Sequence, residues 1–141
     1  MAIKLTPLNI IMVFSPDETQ VLMCLRRKPP FQGLLNFVGG KVEKGETSEK
    51  AAYRELEEET GISDSMIRLV HMMNLQYLIP GWDLQVFVGK LRRNVVLREE
   101  LNHLYWIDVH EDFCDQTRFA GECNIRHLME QVRVYHNQLL E

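Results

Sequence analysis

Cysteine is scarce in this chain, and the three present form no framework. Cys24, Cys114 and Cys123 are an odd, loosely spaced set without a C-x-x-C pair. That excludes a disulfide-stapled scaffold and sets free thiols in a reducing compartment as the expectation. Cys114 and Cys123 taken with His110 match no familiar zinc spacing. Long apolar runs are missing too, none approaching the roughly 20 residues that cross a bilayer. The opening Met1-Ala2-Ile3-Lys4-Leu5 lacks the pattern of a signal peptide. A cytoplasmic protein without membrane association is the expectation. Basic residues are not in excess, since the net charge is −4, which argues against broad nucleic-acid binding. No repeat, low-complexity tract or linker interrupts the 141 residues, so a single domain over 1–141 is expected.

What is present is hydrophobic patterning of two periods. Residues 8–15 and 20–27 are partly alternating runs of Ile, Val and Leu on either side of Pro16-Asp17-Glu18-Thr19, a β-hairpin pattern. Residues 35–42 read as a short strand. Residues 66–78 and 82–91 read as two strands joined at the Ile79-Pro80-Gly81 turn, and 103–108 as one more. Near the end, Ile125, Leu128, Met129, Val132, Tyr135 and Leu139 recur at helical spacing and predict one amphipathic helix. One helix in the middle and one at the end suggest a sheet covered on both faces.

The middle helix carries the chemistry. Gly40 opens a stretch that continues through Glu46 to Arg54-Glu55-Leu56-Glu57-Glu58-Glu59-Thr60-Gly61-Ile62. Thr47 or Ser48 is placed to cap the helix start, Glu49 sits where the dipole favours an acid, and Gly61 stands where a left-handed cap ends the helix. Ala52, Tyr53 and Leu56 supply its packing face. Glu55, Glu58 and Glu59, spaced i, i+3, i+4, share another. Each like-charge neighbour pair costs about 0.2–0.5 kcal/mol on an isolated helix, and a divalent cation removes that repulsion. Hard oxygen donors suit Mg²⁺.

Written out, the stretch is G-x5-E-x7-R-E-(aliphatic)-x-E-E-x-G-(aliphatic). It resembles the Nudix box at every defining position, and on it the chain is identified as a MutT-like member of the Nudix hydrolases. The resemblance implies an α/β fold, an α/β/α sandwich with a mixed β-sheet. It implies Glu55, Glu58 and Glu59 as ligands of Mg²⁺, with Mn²⁺ as a substitute, and the Gly39 carbonyl as a further ligand. Glu55 has the alternative role of general base, Glu58 counts with it among the catalytic residues, and Arg54 orients a carboxylate, Glu46 or Glu55. One more acid from a later loop is implied; Glu100, six residues before Trp106, has the common placement, with Glu99 as the fallback.

The lead-in Leu35-Asn36-Phe37-Val38-Gly39-Gly40-Lys41-Val42 is similar to the W-N-G-F-G-G-K-V of the oxidised-purine nucleoside triphosphatases, with Leu35 in place of the tryptophan. That resemblance implies Asn36 as a reader of the base edge; the plainer reading is an asparagine satisfying a local turn. In residues 118–124, where those enzymes place a base-reading loop, Phe119 is the candidate to stack on a base. Glu122 and Asn124 are candidates for its edge, or alternatively serve the start of the last helix. The paired aspartates of those enzymes are absent. Arg26, with Arg27 and Lys28, is a candidate for phosphates, and Lys41 is assigned with Arg26 to the substrate. Tyr77 and Trp82 flank a pocket mouth or pack in the core.

The implied function is Mg²⁺-dependent cleavage of a nucleoside triphosphate, an oxidised purine such as 8-oxo-dGTP among the candidates, to monophosphate and pyrophosphate. The alternatives keep the chemistry on a nucleotide sugar, a dinucleoside polyphosphate or capped RNA, or make the chain a nucleotide sensor. The partner is a small nucleotide, and a homodimer is left open.

Overall fold

A computed structural model describes residues 4–141; Met1, Ala2 and Ile3, on which part of the signal-peptide reading falls, lie outside it. Six strands form one mixed sheet, β1 (Thr6–Phe14), β2 (Gln20–Leu25), β3 (Leu35–Asn36), β4 (Val70–Tyr77), β5 (Trp82–Lys90) and β6 (Leu104–Asp108). Helix α1 (Ser48–Thr60) covers one face, and α2 (Asn124–Val134) with the short α3 (His136–Leu140) covers the other. This is the three-layer sandwich expected.

β1 and β5 run parallel in register from Thr6↔Trp82 to Phe14↔Lys90, and β4 folds back antiparallel on β5. Both central strands are covered on both sides, which is why they read as near-continuous apolar runs. Alternation still sorts their side chains. Ile11, Val13 and Phe87 pack with Ala52 and Leu56 of α1. Met12, Phe14, Val86 and Val88 pack with Ile125, Leu128 and Val132 of α2. Ala52 and Leu56 are wholly buried, so Leu56→Ala should cost about 2–5 kcal/mol.

Four expectations change. The 8–15/20–27 hairpin pairs β1 with β2 only at Phe14↔Val21. Below that point the segment after β3 takes the edge of β1, through bridges Ile11↔Val38 and Leu8↔Lys41. Residues 35–42 are therefore a two-residue strand followed by a chain bent over β1. The single terminal helix is broken at Tyr135, whose φ of −106° and ψ of 32° end α2 and begin α3; Tyr135 is exposed, and Leu139 rejoins the core from α3. Cys114 and Cys123 are not free but disulfide-bonded, with Cα atoms 4.4 Å apart. The fold of residues 114–123 brings them together, a closeness their nine-residue separation did not signal. Cys24 alone is free, and it is buried. Among the described residues no helix is long and apolar enough to cross a membrane.

Candidate active site

The acidic helix is held at both ends by its own sequence. Thr47 caps it, accepting from the Lys50 N–H at 3.2 Å. Gly61 ends it at φ 80°, donating its N–H to the Glu57 carbonyl, a conformation that favours glycine. The box lead-in passes close over β1. Gly39 has φ +147°, and a Cβ there would lie 2.1 Å from the Asn9 carbonyl oxygen; one on Gly40 would lie 2.5–2.6 Å from the Glu55 carboxyl group. Only a backbone without side chains fits between strand and helix at this point.

Arg54 organises the acids. Its Nε and Nη2 donate to the two oxygens of Glu46 at 2.9 and 2.7 Å, and Nη2 also reaches the Lys41 carbonyl at 3.0 Å. Its Nη1 donates to Glu55 at 3.0 Å and Glu58 at 3.1 Å. This two-pronged bond is the strong form of a carboxylate–guanidinium pair. It holds the Glu46 carboxyl down at about 2. The two carboxylates proposed for Arg54, Glu46 and Glu55, are both engaged.

Glu59 lies deeper, where the Gly39 N–H donates to it at 2.9 Å. Burial pushes its carboxyl up to about 7 despite that bond, and the charges of Glu55, Glu100 and Glu58 add to the rise. Burial also raises Glu55. Glu100 is exposed, yet it borders a small cavity of about 30 Å³ together with Glu59, Cys24 and Asn102. Glu99, the fallback, is occupied elsewhere: it accepts from the Leu104 N–H at 2.7 Å and lies 3.2 Å from His103 Nδ1.

This donor set suits a divalent cation in chemistry: all its atoms are oxygen, and burial together with clustered like charges raises the proton affinity of Glu59. In arrangement the set is tied up, because Arg54 holds Glu55 and Glu58 and the Gly39 N–H holds Glu59. Among the described residues no three acidic, His or Cys side chains converge as a ready-made cluster.

Beside the acids the sheet opens into a cleft of two adjoining hollows, about 370 and 300 Å³, that share Ile10, Phe31, Asn36, Phe37, Trp82 and Leu84. Gly39, Gly40, Lys41 and Arg26 line the first. Tyr77, Glu122, Asn124 and Leu128 line the second. Asn36 spends its side-chain oxygen on the Phe37 N–H at 2.8 Å, the local role, and its amide nitrogen is left for a ligand. Arg26 donates Nε to the Pro30 carbonyl at 2.7 Å, steadying the turn that carries Phe31. The Asn124 amide contacts the Tyr77 hydroxyl. Neither Glu122 nor Asn124 caps α2, whose cap position is Cys123 with no side-chain bond.

Phe119 is corrected. It is 2% exposed, its ring lies 5.0 Å from that of Phe113, and the Arg118 guanidinium stands 5.0 Å from its centroid. Its backbone neighbours pair with Leu35, whose N–H donates to the Arg118 carbonyl at 2.7 Å and whose carbonyl accepts from Ala120 at 2.9 Å. A base has no access to that ring. The cleft's aromatics are instead Tyr77, Trp82, Phe31 and Phe37; the first two meet edge-on at 6.3 Å. Phe31 was missed, although Pro29-Pro30 before it is a turn signal that places the next side chain off the strand. Asn9 was missed as well: a lone amide in an apolar strand was the available clue.

Comparison with known proteins bears on this geometry. The family model described as NUDIX domain matches residues 5–118. Putative nudix hydrolase 1 of Caenorhabditis elegans is 38% identical over 73 residues, 52% of this chain and 19% of that protein. The oxidized purine nucleoside triphosphate hydrolase of Danio rerio is 32% identical over 71 residues, 50% of this chain and 44% of that one. Among solved structures, a C. elegans Ap4A hydrolase binary complex superposes with a TM-score of 0.75 at 17% identity, over 94% of this chain and 99% of that one. The matches span less than half the length of these curated relatives, 19% and 44%. The structural likeness carries the fold.

Proposed function

This chain belongs to the NUDIX domain family, and from that membership we propose that it is a Mg²⁺-dependent pyrophosphohydrolase acting on a purine nucleoside triphosphate. The products are the monophosphate and pyrophosphate. One observation carries the reading: the Glu55/Glu58/Glu59 face adjoins, across Gly39-Gly40, the hollow of about 370 Å³, which continues into the one of about 300 Å³ lined by Trp82, Phe31, Asn36 and Asn124. Aromatic rings with one or two amides suit a flat heterocycle with a hydrogen-bonding edge.

In this reading the base occupies the second hollow and the phosphate chain runs over the diglycine, with Arg26 and Lys41 beside it. Glu55, Glu58, Glu59 and Glu100, with the Gly39 carbonyl, would hold the cation. Bound there, Mg²⁺ supplies charge neutralisation and a more acidic water. Arg54 sets the Glu55 and Glu58 carboxylates on one side of the helix, and Glu55 keeps the alternative role of general base. The Asn36 amide nitrogen donates to the base edge. An oxidised purine is the narrower candidate, supported by Asn36 in the lead-in.

The test is a panel of purine and pyrimidine triphosphates, 8-oxo-dGTP, ADP-ribose, a nucleotide sugar, a dinucleoside polyphosphate and capped RNA, each with and without Mg²⁺. Pyrophosphate released from purine triphosphates supports the proposal. Turnover confined to the diphosphate-linked compounds replaces the substrate, and binding without turnover of any of them makes the chain a sensor.

A further inference from the structure

Asn9 is a polar side chain, 3% exposed, in a strand that is otherwise apolar from Ile10 to Phe14. Its Oδ1 accepts from the Gly40 N–H at 2.9 Å, and its own backbone N–H donates to the Gly40 carbonyl at 2.8 Å. The first bond settles which end of the amide points where, because a backbone N–H can only donate and must face the oxygen. The other end, Nδ2, is buried without a partner among the described residues. So is Oε1 of Gln85, the residue in register with it on β5. A buried amide left half unpaired is costly, and an apolar residue would suit the strand better. What the amide contributes is a grip on the diglycine.

That grip passes to the acids. Asn9 holds Gly40 at both its N–H and its carbonyl, and Gly39 is pressed against the Asn9 backbone with no room for a side chain. The Gly39 N–H is the hydrogen-bond donor to the Glu59 carboxylate. We propose that Asn9 is a positioning residue for Glu59, acting through the Gly39-Gly40 backbone from the strand opposite the acidic helix. Its importance for turnover rests on the function proposed above; the positioning itself does not.

The experiment is amide hydrogen exchange by NMR on the ¹⁵N-labelled full chain, reading Gly39 and Gly40 in wild type, Asn9→Val and Asn9→Asp. In Asn9→Val both amides should lose protection about tenfold, the scale of one lost hydrogen bond. Gly39 is the decisive probe, since its partner Glu59 is untouched by the substitution. Asn9→Asp keeps the acceptor oxygen and should restore both. Should Asn9→Val not fold, the same amides are read in Asn9→Ser, whose hydroxyl stops one bond short of the carboxamide oxygen. Loss at Gly40 with Gly39 unchanged would overturn the proposal by confining Asn9 to a local bond. So would failure of Asn9→Asp to restore Gly39. Where nucleotide is turned over, Asn9→Val should lower kcat more than it raises KM, with Asn9→Asp recovering part of the loss. A wild type without turnover defeats the proposed function and leaves the exchange result standing.

Discussion

The acidic helix and the apolar hollow beside it are built by opposite means. Glu55, Glu58 and Glu59 come from little more than one turn, and their neighbours Glu46 and Arg54 lie within the same box. The hollow collects Ile10 from β1, Phe31 from a turn, Asn36 from β3, Tyr77 and Trp82 from either side of a hairpin, and Asn124 from α2. One is a local motif that tertiary structure supports; the other exists only when five segments meet. Substitutions in the first should therefore strike chemistry, and substitutions in the second should strike recognition or stability.

The largest expected effect tests the first half. Glu59→Gln removes a charge while keeping the side chain's shape, and kcat should fall on the order of 10²–10⁴-fold, the range typical of a lost acid–base or ligating carboxylate. Circular dichroism should show the fold intact. Activity within a few-fold of wild type would remove Glu59 from the site.

Phe119→Ala tests the other half at the residue that moved from ligand candidate to core. Unfolding free energy should drop by about 3–5 kcal/mol in denaturant titration, with KM for the preferred nucleotide unchanged while the protein stays folded. A raised KM with unchanged stability would return Phe119 to the cleft. Trp82→Ala should show the converse pattern. KM should rise about tenfold, within the 1–3 kcal/mol that base stacking on an aromatic contributes, while kcat stays within a few-fold.

The smallest effect separates the regions by pH. Burial holds the Glu59 carboxyl up at about 7, above its usual 4.5. The folded protein thus binds a proton there more tightly than the unfolded chain. Without metal, stability should then decline as pH rises from about 4.5 through 7, because ionisation is what the fold resists. Saturating Mg²⁺ should flatten that decline and release protons on binding near pH 6.5, measured by calorimetry in buffers of different ionisation enthalpy. A Glu59→Gln protein should show both effects reduced to the share that Glu55, also raised by burial, contributes.

Much of the fold was legible because its signals are local. Apolar runs, and the turn signals between them, mark β1, β2, β4, β5 and β6 to within a few residues, and the Thr47 and Gly61 caps mark α1. The stripe from Ile125 to Leu139 reads as one helix because periodicity continues through Tyr135, whereas the backbone turns there. Residues 35–42 read as a strand because their composition fits one, yet Gly39 and Gly40 have to bend close over β1. In the site, the acids and Arg54 were legible from spacing. Asn9 and Phe31 were not, since each works on partners that are distant in the chain or supplied by a turn. The Cys114–Cys123 bond belongs with them.

Sequence alone determined the acidic face of α1 and its arginine, because helical periodicity places residues three and four apart on one side whatever surrounds them. It also determined which segments are apolar enough to form strands. Tertiary structure decided that Glu59 is half-buried and its carboxyl raised while Glu58 stays in solvent. It decided too that Trp82 and Phe31 face a cleft while Phe119 is sealed in the core. Burial and access depend on which surfaces the folded chain lays against one another, and spacing along the chain does not encode that.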